Sequence, residues 1–143
     1  MVRPKFVKAA VKDGEVVRDF PTEVINPKIC SDNTLTQIRE ILRKVVAEGL
    51  AKPAGSKQFA VAGKTGTAQN PRGKDHSTFL SFAPKDNPRI AISVYVENGG
   101  FGASAALPIA SLLEEYYLTD TVTRPWLVEM VKQKTIYYPA YGK

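Results

Sequence analysis

Phe59-Ala60-Val61-Ala62-Gly63-Lys64-Thr65-Gly66-Thr67-Ala68 decides how this chain is read. The segment opens on four apolar residues and follows a loop, Lys52 to Lys57, that contains Pro53 and Gly55. That pattern predicts a buried strand from Phe59 to Ala68. Its end presents an ammonium (Lys64), two hydroxyls (Thr65, Thr67) and a side-chain-free stretch of backbone (Gly66). Such groups suit a cleft that holds a carboxylate and stabilises an oxyanion in acyl transfer.

Working outward, Asn70 to Asp75 is a polar turn with Pro71 and Gly73, and Thr78 to Ala83 is a second strand. Pro84 to Pro88 is the next turn. Arg89 to Glu97 is a third strand, with Ile90, Ile92, Val94 and Val96 on one face. Connections this short imply consecutive antiparallel strands. Upstream, Thr34 to Leu50 is an amphipathic helix whose stripe is Leu35, Ile38, Ile41, Leu42, Val45 and Val46. Thr34 with Gln37 has capping-box spacing, and Gly49 lies near the end. Phe6 to Val11 and Glu15 to Val17 flank Asp13-Gly14, the signature of a tight hairpin. Downstream, Asn98 to Gly102 is a glycine-rich loop before a helix from Ser104 to Leu118, apolar on most sides and expected to be buried. Pro108 is tolerable in that helix's first turn. Pro125 to Lys132 reads as a short helix, and Ile136 to Tyr141 as aromatic and irregular. The fold class is α+β, an antiparallel sheet with flanking helices.

With 143 residues, 43% hydrophobic and 24% charged, the chain is expected to be one globular domain, 1–143. A net charge of +6 is spread along the sequence. By itself that charge permits nucleic acid, anionic membrane or wall polymers, or merely a solvated surface, and no nucleic-acid partner is expected. Cys30 is the only cysteine, so no internal disulfide is possible. No segment approaches a membrane span, and no signal peptide precedes Arg3. The chain is therefore expected to be cytosolic or a piece of something longer.

Several motifs have bland readings. Gly63-Lys64-Thr65 is not a phosphate loop, because position 58 is Gln58 and the intervening residues favour a strand. Gly99-Gly100-x-Gly102 lacks dinucleotide-binding spacing and is a connection. His76, the single histidine, has no Ser-Asp arrangement and starts a strand. Ser31-Asp32-Asn33 precedes a helix, where these residues serve as caps. Tyr116-Tyr117 and Tyr137-Tyr138 are core or interface residues rather than base-stacking platforms.

Ala62-Gly63-Lys64-Thr65-Gly66-Thr67-Ala68-Gln69 resembles the third signature of the penicillin-binding transpeptidases. His76 to Pro84, Val96 to Gly100 with Ala105 to Ala110, and Arg3 to Lys8 resemble further segments of that family in the same order. The likeness runs from about residue 3 to 118 and is nearest to the class B, elongation-type branch, penicillin-binding protein two. It implies the C-terminal part of a β-lactamase/transpeptidase-like fold, without the nucleophile-bearing part. The family's first signature, Ser-x-x-Lys, is absent from this sequence. Ser31-Asp32-Asn33 lies too close to Lys64 to be the second.

By that resemblance, Lys64 and Thr67 are the catalytic candidates, and Lys64, Thr65, Gly66 and Thr67 bind substrate. Thr65 and Thr67 would hold the carboxylate of a peptidoglycan stem peptide or a β-lactam. Gly66 would let substrate backbone lie close, and the Thr67 amide would donate to the oxyanion. The implied function is a fragment of a peptidoglycan D,D-transpeptidase, inactive in isolation. The alternative is a non-catalytic module that binds wall peptide or an anionic polymer. No metal and no cofactor are expected. The expected partners are the rest of the transpeptidase domain and, through exposed apolar surface, a second copy. The parent would act at the periplasmic face of the cell membrane.

Overall fold

The computed structural model describes residues 1–136, which divide into two compact units, Met1–Thr36 and Gln37 onward. In the first unit, β1 (Ala9–Lys12) and β2 (Glu15–Asp19) form an antiparallel hairpin. Asp13 and Gly14 both have positive φ, 52° and 85°, as the tight turn between twisted strands requires. The register shifts between Ala10 and Val11. Val2 bridges Val24, and Arg3 holds Glu23 through Nε at 2.6 Å and Nη2 at 3.2 Å. Val11, Val16 and Val17 remain exposed, so the hairpin rests on backbone pairing more than on a core.

Helix α1 (Asp32–Ala47) spans the division between the units. It starts two residues before the expected Thr34, because Ser31 is the cap. Ser31 Oγ accepts the Thr34 amide at 3.1 Å and lies 2.8 Å from Thr34 Oγ1. The Thr34–Gln37 capping box is thereby corrected, whereas the capping role read for Ser31-Asp32-Asn33 holds. The helix ends at Ala47, short of Leu50, where the Gly49 amide turns back to the Lys44 carbonyl at 3.2 Å.

The second unit is built on a three-stranded antiparallel sheet, β3 (Ala62–Ala68), β4 (His76–Ala83) and β5 (Ile90–Val96), in that spatial order. The strand expected from Phe59 begins at Ala62. The Ala60 carbonyl accepts the Lys85 amide at 2.8 Å and the Val61 carbonyl accepts Arg43 Nη1 at 3.1 Å, so both are occupied outside the sheet ladder. Helix α2 (Ala106–Thr119) packs on β4 and β5, and α3 (Pro125–Gln133) packs on α2. Pro108 sits in the first turn of α2, as expected.

The core joins Val46 of α1 to Ala51, Ala54, Val61, Phe79, Ala83, Ala106, Leu107 and Ala110. Ile90, Ile92, Val94 and Val96 all lie half-buried against it, the face their alternation predicts. Helix α2 is buried or half-buried over most of its surface, as expected, and only Leu113, Tyr116 and Tyr117 are exposed along it, so these two tyrosines are not core residues. The described part of the tail contains α3 as expected, and residues 137–141, read as aromatic and irregular, lie outside the described residues. Among the described residues, no helix is long and apolar enough to cross a membrane.

Candidate functional site

Among the described residues strand β3 pairs with β4 alone, which leaves its other edge open. Along it, Lys64 stands opposite Leu80 and Gly66 opposite Thr78, whereas Thr65 stands opposite Phe79 and Thr67 opposite Ser77. Cross-strand partners share a face and neighbours alternate. Lys64 and Gly66 therefore belong to one face of the sheet, Thr65 and Thr67 to the other. The four residues straddle an edge rather than line a floor.

Lys64 and Thr67 are exposed, and Thr65 and Gly66 are half-buried. The Lys64 ammonium donates to the Thr65 carbonyl at 2.7 Å. It borders a shallow depression of about 330 Å³ floored by Leu42, Leu80, Phe82 and Ser93. This placement, in a strand rather than at a loop-to-helix junction, is incompatible with a phosphate loop.

Two glycines make the edge possible by close approach. A Cβ on Gly66 would overlap Thr78 Oγ1. A Cβ on Gly102 would come within 2.5 Å of the Gly66 carbonyl oxygen and 2.6 Å of that of Thr78. The glycine-rich loop therefore lies flat against the β3–β4 backbone and backs the site.

Ser77, fully buried on β4, fastens that loop. Its Oγ is 2.9 Å from the Phe101 carbonyl and 3.1 Å from the Gly102 carbonyl, and it accepts the Ala106 amide at 2.9 Å. One hydroxyl thus ties loop, sheet and the start of α2 together. Nothing in the sequence singled out this role, since the strand expected from Thr78 begins two residues earlier, at His76, and so takes in Ser77.

His76 does start a strand. Its Nδ1 accepts the Asn98 amide at 3.1 Å, and its ring centroid is 5.3 Å from that of Tyr95. Asn98, at φ 54°, accepts Asn70 Nδ2 at 2.8 Å, and the Gly100 amide reaches the Asp75 carbonyl at 2.8 Å. These bonds hold the turn after β3 to the loop after β5. They leave His76 a positioning group, and Gly99 to Gly102 a connection, as read.

The strongest electrostatic perturbations lie behind the sheet, on α2. Glu114 is fully buried, and among the described residues neither carboxylate oxygen has a hydrogen-bond partner of normal geometry. Burial raises its carboxyl to about 7, opposed by the nearby Ser81 hydroxyl and the Arg124 charge. Glu115 is the reverse. Desolvation would raise it, but the Thr123 hydroxyl and amide and Arg124, whose Nε is 3.1 Å away, together hold it below the usual carboxylate range. Arg124 also donates to the Ser111 carbonyl at 3.0 Å, so this ion pair pins the entry to α3 onto α2. The sequence carried no signal for these two burials beyond the apolar surroundings of the acids in α2.

No group of three His, Cys, Asp or Glu residues is placed to hold a metal among the described residues. The arrangement at β3 offers a cation, two hydroxyls and an open strand edge, which together can hold an extended peptide ending in a carboxylate.

The sequence profile of the penicillin binding protein transpeptidase domain matches residues 1–113. The peptidoglycan D,D-transpeptidase MrdA of Acinetobacter baumannii is 34% identical over 124 residues, a match covering 76% of this chain and 18% of that relative. In structure, the chain is similar to PBP2 of Pseudomonas aeruginosa, with a TM-score of 0.61 and 33% identity over 76% of this chain and 24% of the solved one. It is also similar to penicillin-binding protein A of Mycobacterium tuberculosis, solved as a penicillin G acyl-enzyme. There the TM-score is 0.62 and the identity 28%, over 82% of this chain and 28% of that one. The chain thus spans only 18% to 28% of the length of these proteins.

Proposed function

The chain belongs to the penicillin-binding protein transpeptidase family, and from that premise we propose that its β3 edge is one wall of an acyl-transfer site for peptidoglycan stem peptides and β-lactams. The observation that carries this reading is the position of Lys64-Thr65-Gly66-Thr67 on an open edge with the lysine exposed. In the proposed complex an extended D-alanyl-D-alanine peptide lies along β3 as an added strand. The Thr65 and Thr67 hydroxyls hold its terminal carboxylate, and Gly66 gives its backbone room.

The Lys64–Thr65 bond supports the oxyanion assignment. A carbonyl free to accept a side chain faces the open edge, and in an antiparallel strand the residue two positions on presents its amide to that same side. The Thr67 amide is accordingly the donor to the developing oxyanion, a contribution on the order of 10²–10³ in rate. Lys64 supplies positive charge beside the attacking group.

This sequence contains no Ser-x-x-Lys, so the proposal assigns the attack to a serine elsewhere in a complete domain. The serine oxygen displaces D-alanine to form an acyl-enzyme, and an acceptor amine then resolves it. Residues 1–143 are thereby the C-terminal portion of one transpeptidase domain, inactive alone, whose partners include the remainder of that domain. The matches to MrdA and PBP2 favour the elongation type, with the parent acting at the periplasmic face of the membrane.

Incubation with a labelled penicillin followed by intact-mass measurement tests the assignment of the nucleophile. The expected result is no covalent adduct, and a stable serine adduct overturns it. Titration with an N-acyl-D-Ala-D-Ala peptide tests the wall itself. Weak binding that Lys64→Ala abolishes is expected, and binding indifferent to that substitution removes the reading.

A further inference from the structure

The turn that carries β3 into β4, Gln69 to Asp75, stands at the C-terminal end of the candidate site. Its hub is Asn70. The Asn70 amide donates to Asp75 Oδ1 at 3.1 Å, and the Asn70 side-chain oxygen accepts the Arg72 amide at 3.1 Å. The Asn70 side-chain nitrogen donates to the Lys74 carbonyl at 3.2 Å and to Asn98 Oδ1 at 2.8 Å. From the loop after β5, the Gly100 amide closes on the Asp75 carbonyl at 2.8 Å. The turn is thereby held both from within and from the neighbouring loop, and its backbone is fixed before any ligand arrives.

These bonds leave the turn's two cations unused. Arg72 and Lys74 are exposed, and neither makes an ion pair among the described residues. The acids around them are engaged or distant. Asp75 is half-buried and accepts the Asn70 amide, and Glu97 follows β5, two strands away from β3. Beside the cations, Gln69, Asn70, Pro71 and Asp75 line an open hollow of about 550 Å³, room enough for a side chain. Two like charges one residue apart on a rigid turn repel each other, and an anion set between them relieves that repulsion.

We propose, resting on the β3 reading above, that this turn is a subsite for an anionic group, and that it favours stem peptides with a carboxylate on the residue before D-alanyl-D-alanine. In that reading the terminal carboxylate lies at Thr65 and Thr67, and the scissile carbonyl, one residue earlier in the peptide, lies at the Thr67 amide. The peptide therefore runs antiparallel to β3 and continues backward past Ala68. At about 3.4 Å per residue, its third residue from the C-terminus falls beside Ala68 and Gln69, with its side chain in reach of the turn. Arg72 offers a planar fork that matches a carboxylate, and Lys74 adds a second charge. Because Asn70 has already fixed the backbone that carries them, only the two side chains are ordered on binding.

Titration of the full chain at low salt with N-acetyl-X-D-Ala-D-Ala peptides, X being glutamate, alanine or lysine, tests the subsite. The glutamate peptide is expected to bind about fivefold more tightly than the alanine peptide, and the lysine peptide more weakly than either. The spread narrows as salt is raised, since both cations are exposed. Combining Arg72→Glu with Lys74→Glu is expected to reverse the order while circular dichroism shows the fold retained. Equal affinity for the three peptides, or an order that survives the double substitution, overturns the subsite and leaves the β3 wall standing. Binding of none of them removes the β3 reading, and the subsite with it.

Discussion

Replacing Glu114 with glutamine removes a titration that the fold makes costly. The carboxyl is fully buried on α2 with both oxygens unpartnered among the described residues, and burial raises it from 4.5 to about 7. Between those values the folded chain keeps a proton that the unfolded chain has released. Raising the pH therefore favours unfolding, and the penalty grows from about pH 4.5 until it levels off above pH 7. One pKa unit corresponds to roughly 1 kcal/mol, so from pH 5 to pH 8 this one group costs on the order of 2–3 kcal/mol. The facing groups are the Ser81 hydroxyl and the Arg124 charge, which only partly offset burial. Glu115 is held low, so its own contribution is lost only as pH falls below the ordinary carboxylate range, outside this window. Urea unfolding followed by far-ultraviolet circular dichroism at pH 5 and pH 8 measures the difference. The parent chain is expected to lose on the order of 2–3 kcal/mol more than Glu114→Gln across the interval. Equal losses, or a parent whose stability rises with pH relative to the variant, refute the buried-carboxyl argument.

Arg124→Ala strands the nearly buried Glu115 carboxylate with only Thr123 as partner, and a loss of about 3 kcal/mol is expected in thermal or urea melts. Gly66→Ala drives a Cβ into Thr78 Oγ1, with an expected cost of about 1–3 kcal/mol that Thr78→Ala in the same chain relieves. Ser31→Ala removes the α1 cap and is expected to cost about 1 kcal/mol in the same melts.

The legible parts of the fold were those with a strong local period. Ile90, Ile92, Val94 and Val96 announced a strand and the face it buries, and Asp13-Gly14 announced a turn that needs positive φ. The stripe on α1 announced a helix but not its first residue. Ser31, Asp32, Asn33 and Thr34 are all competent caps, and only geometry selects the oxygen that reaches an amide three residues on. Phe59 to Val61 has strand propensity, yet Arg43 and the Lys85 amide, distant in sequence, take two of its carbonyls. The lysine and threonines of the site were legible as a motif. Their division between two faces of an edge strand follows from register, and the edge itself from which strands pair, neither of which a single segment encodes. The burial of Glu114 and Glu115 was illegible for the same reason, since it is Arg124 and Thr123 that make half of the pair tolerable.

The most direct test of the β3 edge as a ligand wall is amide mapping by nuclear magnetic resonance during titration with an N-acyl-D-Ala-D-Ala peptide. Shifts concentrated at Thr65 to Ala68, and lost in Lys64→Ala while the fold is retained, are the predicted outcome. Shifts centred on β5 or α2, or none along β3 at saturating peptide, contradict it.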